Sequence, residues 1–226
     1  MNLFKRKNEP SSLEQSETPD PQLVTAIDHL ESGEYSEAEV IFEKMLSRES
    51  EYNTFSKLDS MIRQASSKKG KINILLSTRR ALLGLGIIQA MNHDFQTAED
   101  YILDATYSSE NAELYLIAGK YYLAIPNAEL STAFGYFQMA VELQPNLLGK
   151  CDELVQIFHK DRGVFYPVFS IKPYLEHWNN FRDTMSKKVK TNQTDAFFDE
   201  FTNRFLEVLQ VLDIVGENRL KKQIKG

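Results

Sequence analysis

Residues 78–91 read Thr78-Arg79-Arg80-Ala81-Leu82-Leu83-Gly84-Leu85-Gly86-Ile87-Ile88-Gln89-Ala90-Met91. Wound as a helix, the run sets Leu82, Leu85 and Gln89 along one face with Gly86 beside them. A glycine inside a helix costs about 1 kcal/mol relative to alanine, so two of them require a compensating contact. At Gly86 that contact is expected to be a partner helix crossing where a Cβ would not fit; Gly84 falls toward the outer face, and the pattern assigns it no partner. After Asn92-His93-Asp94 the chain carries Phe95, Ala98, Ile102 and Ala105 at i, i+3, i+7 and i+10, a single buried stripe that puts the small Ala98 opposite Gly86. Tyr115, Ala118, Gly119 and Tyr122 repeat the first arrangement, Ala133, Phe137 and Ala140 the second, and Pro145 stops the run. The stretch from Thr78 to Pro145 therefore reads as two consecutive helical hairpins with small residues where their helices touch.

Gly86 and Gly119 lie 33 residues apart. This resembles the tetratricopeptide family, whose repeat runs about 34 residues, with a large-x2-large-small-x2-large first helix and an Ala-x3-aromatic second helix closed by proline. Leu82-x2-Leu85-Gly86-x2-Gln89 and Ala98-x3-Ile102 fit that pattern, with Gln89 in place of an aromatic and Glu110 in place of the proline. Ala133-x3-Phe137 followed by Pro145 fits better, although Gly119 to Ala133 spans 14 residues against 12 from Gly86 to Ala98, so Ile125 to Glu129 is expected to form a longer loop.

The pattern occurs a third time upstream. Asp20 is placed to cap a helix beginning at Pro21, with Leu23, Ala26, Ile27 and Leu30 on its buried face. After a turn at Ser32-Gly33-Glu34-Tyr35, Ser36 and Glu39 form a capping box for a helix carrying Ala38, Phe42, Met45 and Leu46. Ala38 and Ala98 are 60 residues apart, short of the roughly 68 that two repeats need. The intervening unit is irregular: either a shortened hairpin fills residues 53–77, or Lys71 onward extends the helix at Thr78. Lys68, Lys69, Lys71, Arg79 and Arg80 make a local basic cluster, readable as solvated loop charge or as a site for an acidic partner.

Downstream, Cys151 to Phe158 begins a further helix, ended by His159-Lys160-Asp161-Arg162-Gly163. The aromatic run Val164 to Phe169 is expected to pack over the end of the stack. Ser170 caps a helix with Pro173 in its first turn and a stripe of Tyr174, Trp178, Phe181, Met185 and Val189. Thr194 or Asp195 opens a last helix whose stripe is Phe198, Phe201, Phe205, Leu209, Leu212 and Val215, widened by Phe197, Leu206 and Val208. Repeat arrays need capped ends, and these two helices are suited to the task. The expected fold is all-α: a polar N-terminal tail over 1–20 expected to be disordered, a tetratricopeptide-like repeat domain over 21–158, a helical cap over 159–216 and a basic tail over 217–226.

Composition narrows the function. The 226 residues hold 26 basic and 32 acidic side chains, a net charge of −6 with pI near 5.4, unlike a protein that wraps a nucleic-acid backbone. One cysteine, Cys151, permits no internal disulfide and fits a reducing cytoplasm. No apolar run approaches the roughly 18 residues of a bilayer span, and Met1 to Lys7 lacks the apolar segment of a signal peptide. His29, His93, His159 and His177 stand at no metal-ligand spacing, and no phosphate loop or cysteine pair is present. No metal or cofactor is expected, nor an enzyme activity.

In the resembling family, first helices line a concave groove that takes a peptide or a partner helix. Carried over position by position, the resemblance implies a groove of Leu23 and Ile27, then Arg80, Leu83 and Ile87, then Leu116, Lys120 and Leu123. These are mainly apolar with two cations, and they lack the Lys and Asn set with which some members clamp a terminal carboxylate. A hydrophobic segment with an acidic residue near Arg80 or Lys120 is the expected ligand. The other reading is that Leu83, Ile87 and Leu116 are covered by the chain's own C-terminal helices. Functionally the chain reads as a scaffold, adaptor or chaperone that binds protein, or else as a structural subunit associating, with itself or with others, through Tyr174 to Val215.

Overall fold

The computed structural model describes residues 20–48, 76–107, 109–125, 130–162, 168–188 and 201–212. Among these, all regular structure is helical: α1 (Pro21–Glu31), α2 (Tyr35–Arg48), α3 (Leu76–Met91), α4 (Phe95–Thr106), α5 (Ala112–Ala124), α6 (Leu130–Leu143), a 3₁₀ turn (Pro145–Leu147), α7 (Leu148–Arg162), α8 (Val168–Ser186) and a helical segment over 201–212. No helix among the described residues is long and apolar enough to cross a membrane.

The helices pair as the small residues dictate. α1 packs on α2, α3 on α4 and α5 on α6, and α2 packs directly on α3. A Cβ built on Gly86 would stand 2.9 Å from Ile102 Cδ1 and 3.1 Å from the Ala98 carbonyl oxygen; on Gly119 it would stand 2.5 Å from Phe137 Cε1 and 3.2 Å from the Ala133 carbonyl oxygen. The backbones meet where the sequence places them. Gly84 corrects the reading that gave it an outer face: it lies against the buried Phe42 ring of α2, so the two glycines of α3 serve two different neighbours.

Two of the hairpin turns are built alike. Gly33 (φ 76°) and His93 (φ 69°) adopt the left-handed conformation just past α1 and α3, and the next amide donates five residues back, Glu34 to His29 at 2.9 Å and Asp94 to Gln89 at 2.9 Å. This motif satisfies carbonyls that the helix end leaves free. Because the turn closes at Glu34, α2 starts at Tyr35, ahead of the expected cap Ser36. No proline is needed to end α4: buried Arg79 of α3 donates from Nη1 to the carbonyls of Ala105 (2.8 Å) and Tyr107 (2.9 Å), and Tyr115 of α5 donates to those of Thr106 (3.1 Å) and Ser109 (2.9 Å). Asn111 then caps α5 by accepting from Glu113 N at 2.9 Å.

The C-terminal third differs from expectation in its boundaries. α7 begins at Leu148 and continues through Arg162 instead of stopping after Phe158, and α8 begins at Val168 with Pro173 inside it. Trp178 is fully buried among the rings of Phe134, Phe137 and Phe181. Its Nε1 donates to Asp152 Oδ1 of α7 at 2.9 Å. The helix proposed over Tyr52 to Ala65, the three lysines at 68, 69 and 71, the loop at 126–129, the aromatic run over 164–167 and both terminal tails lie outside the described residues, as do Phe197, Phe198 and Val215.

Candidate partner-binding site

The eight groove positions come from the first helix of each hairpin: Leu23 and Ile27 from α1, Arg80, Leu83 and Ile87 from α3, Leu116, Lys120 and Leu123 from α5. All eight are buried, none more than 9% exposed. α3 and α5 are buried almost all round, which occurs when a helix is covered on both faces. One cover is the hairpin partner. Over α1 and α3, another is the segment 201–212.

That segment contributes Phe201, Thr202, Phe205, Leu206, Val208, Leu209 and Leu212 to the interior, while Asn203, Glu207, Gln210 and Val211 face solvent. At roughly 100° per residue the buried set spans about 160° of the helix, a broad amphipathic face. Two polar contacts fix where it lies. The Arg80 guanidinium stands 4.7 Å above the centre of the Phe201 ring, a cation–π geometry. Arg204 donates from Nε to Glu31 Oε1 at 2.7 Å and from Nη2 to Glu31 Oε2 at 2.9 Å and Asp28 Oδ1 at 2.5 Å. Glu31 foremost, then Asp28, raises the arginine's pKa against the opposing effect of burial. Such a fork-to-fork pair adds geometric specificity to attraction.

Arg80 also stands 3.7 Å from Glu113 of α5. Arg79 and Arg80 are therefore interior groups tying helices together, not loop charges. Gln89 donates to Glu39 of α2 at 2.7 Å and links one hairpin to the next. The chain's own segment brings an aromatic ring to Arg80 and a cation to the α1 carboxylates. Arg204, Asp28 and Glu31 escaped sequence reading. Asp28 and Glu31 border the Leu23 and Ile27 stripe at i, i+3, and Arg204 borders the Phe201 and Phe205 stripe, but 173 residues separate Glu31 from Arg204 and no local pattern joins them.

A second concavity, about 340 Å³, opens between α6 and α8 and is lined by Phe134, Gly135, Gln138, Pro173, Tyr174 and His177, with Gln138 Nε2 2.8 Å from His177 Nε2. Among the described residues no three His, Cys, Asp or Glu side chains converge as a metal site. Cys151 is fully buried, and burial first, then the charge of Asp152, raises its thiol pKa well above the ordinary range, the opposite of an activated nucleophile. Comparison with protein-family models, with curated proteins and with solved structures finds no match to this chain.

Proposed function

We propose that this chain is a non-enzymatic scaffold or adaptor of the tetratricopeptide-like kind, working in the cytoplasm, whose inner face over α1, α3 and α5 holds a helix of a protein partner. The observation that supports this reading is the seating of 201–212. Leu23, Ile27, Leu83 and Ile87 are buried, and the chain ties an amphipathic helix to α1 and α3 with an arginine fork and an aromatic under Arg80. Helix-in-groove recognition uses these parts, apolar anchors at helical spacing and a few charged contacts at the rim.

Glutamate at Leu83 or Leu116 would test folding and not binding, because both are 0% exposed. The rim is the better place to probe. Asp28 and Glu31 are 62% and 33% exposed at the side chain, and reversing both to lysine repels any helix that presents a cation there. With the full chain as bait, a stoichiometric protein partner is expected, its recovery reduced about tenfold when the double reversal is combined with Arg204→Glu, which keeps the chain's own ion pair with its signs swapped, while far-UV circular dichroism stays unchanged. Equal recovery by both baits, or no stoichiometric protein, would remove the inner face from the function. A self-associated chain with no other protein would favour the alternative, a structural subunit joined through its C-terminal helices.

A further inference from the structure

We infer that residues 201–212 are an exchangeable latch, an intramolecular stand-in for a partner helix that presents an aromatic residue, a cation three positions on and apolar anchors at the fourth, eighth and eleventh. This deepens the function just proposed and rests on it. Phe201, Arg204, Phe205, Leu209 and Leu212 define that signature: Arg80 takes the aromatic, Asp28 and Glu31 take the cation, and Phe205, Leu209 and Leu212 are buried.

Three observations set the segment apart from a permanent core element. The hairpins pack without it: α1 lies directly on α2, Gly86 meets Ile102 within α3–α4, Gly119 meets Phe137 within α5–α6, and Gly84 on Phe42 joins α3 to α2, so its departure leaves these contacts in place. Two of the three buried cations among the described residues, Arg80 and Lys120, hold groove positions of the array, and Thr202 is buried on the segment. Arginine and lysine are rare at such depth, and they suit a surface that meets water in a second state. The specific lock, Arg204 with Asp28 and Glu31, lies at the rim, where Asp28 keeps most of its exposure. A competing cation reaches it before the apolar face has to part. Elements held along one face belong to the low-stability end of a fold, and a tethered occupant enjoys a high effective concentration that a free helix must overcome.

Hydrogen exchange on the full wild-type chain tests the opening directly. The amides of 201–212 are expected to exchange at least about tenfold faster than those of α3 and α5; equal protection would overturn the latch and leave the bait experiment to decide the binding function by itself. Anisotropy of a fluorescein-labelled peptide spanning 198–215 tests the exchange. Added to full-length Arg204→Glu, whose latch is repelled by Asp28 and Glu31, the peptide should saturate at a concentration about tenfold below that needed for wild type, and a peptide carrying the same substitution should lose that gain. Should Arg204→Glu not fold, the exchange measurement on wild type still decides the matter. Fast exchange without peptide binding to either chain would overturn the partner chemistry, as would a reciprocal dimer in which 201–212 crosses to a second copy.

Discussion

Replacing Gly119 and Gly135 by alanine, one at a time, isolates the close approach on which the hairpins depend. Both glycines lie inside helices, α5 and α6, and in each case alanine recovers up to about 1 kcal/mol of helix propensity. They differ in what a Cβ would meet. At Gly135 nothing stands within 4 Å, so the propensity gain is the whole effect. At Gly119 the new carbon would lie 2.5 Å from Phe137 Cε1, 2.6 Å from Cδ1 and 3.2 Å from the Ala133 carbonyl oxygen. The Phe137 ring is fully buried and sits edge-on to Trp178, also fully buried, so it has no space to retreat into. Overpacking of this kind costs about 1–3 kcal/mol, which cancels or reverses the propensity term. Gly135→Ala is therefore expected to be up to about 1 kcal/mol more stable than wild type and Gly119→Ala neutral to about 2 kcal/mol less stable. Urea unfolding followed by far-UV circular dichroism at constant slope reads the difference. A Gly119→Ala midpoint equal to or above that of Gly135→Ala would refute the claim that α5 and α6 touch through that glycine.

His93 occupies the left-handed position that Gly33 fills in the equivalent turn, at a cost glycine does not bear; His93→Gly should raise stability by about 0.5–1 kcal/mol in the same urea assay, with no change expected in helix content. Tyr121 is wholly buried, and its hydroxyl has no hydrogen-bond partner among the described residues, so Tyr121→Phe should stabilise the fold by about 1 kcal/mol. Burial is the leading cause of raised pKa values at Tyr115, Tyr121, Tyr122 and Tyr136 above the ordinary 10.0. The folded state thus holds these protons more firmly than the unfolded one. Their contribution is complete below pH 10 and is lost as pH climbs through the folded values, so alkaline unfolding should begin above about pH 10 and move upward in Tyr121→Phe, as circular dichroism against pH will record.

The helices were legible because their determinants are local. Spacing of Leu82, Leu85 and Gly86, and again of Ala98 and Ile102, identifies a helical pair from a dozen residues on each side, and the structure brings Gly86 and Ala98 together. Boundaries were less legible where the stop signal is conformational: Gly33 in the left-handed region sets the start of α2, and nothing in Ser36 or Glu39 announces that. Gly84 and Arg79 escaped for a different reason. Gly84 is explained by Phe42 of the preceding hairpin and Arg79 by the far end of its own partner helix α4, 26 to 28 residues on, and sequence distance hides such pairings. The inner face combined both situations. Its eight positions follow from repeat register, whereas the identity of what lies on α1 and α3 depends on Arg204 meeting Glu31 across most of the chain.

Trp178 is the sole tryptophan of the chain, and its indole is gripped at the junction of α6, α7 and α8 by Asp152 and three phenylalanine rings. Its emission is accordingly a local witness, reporting one end of the molecule and blind to α1. Arrays whose units hold mainly to their neighbours can lose one end while the other persists. Optical melts recorded through the indole and through total helicity would then part company, and the gap between them would count how many hairpins come undone before the far end notices.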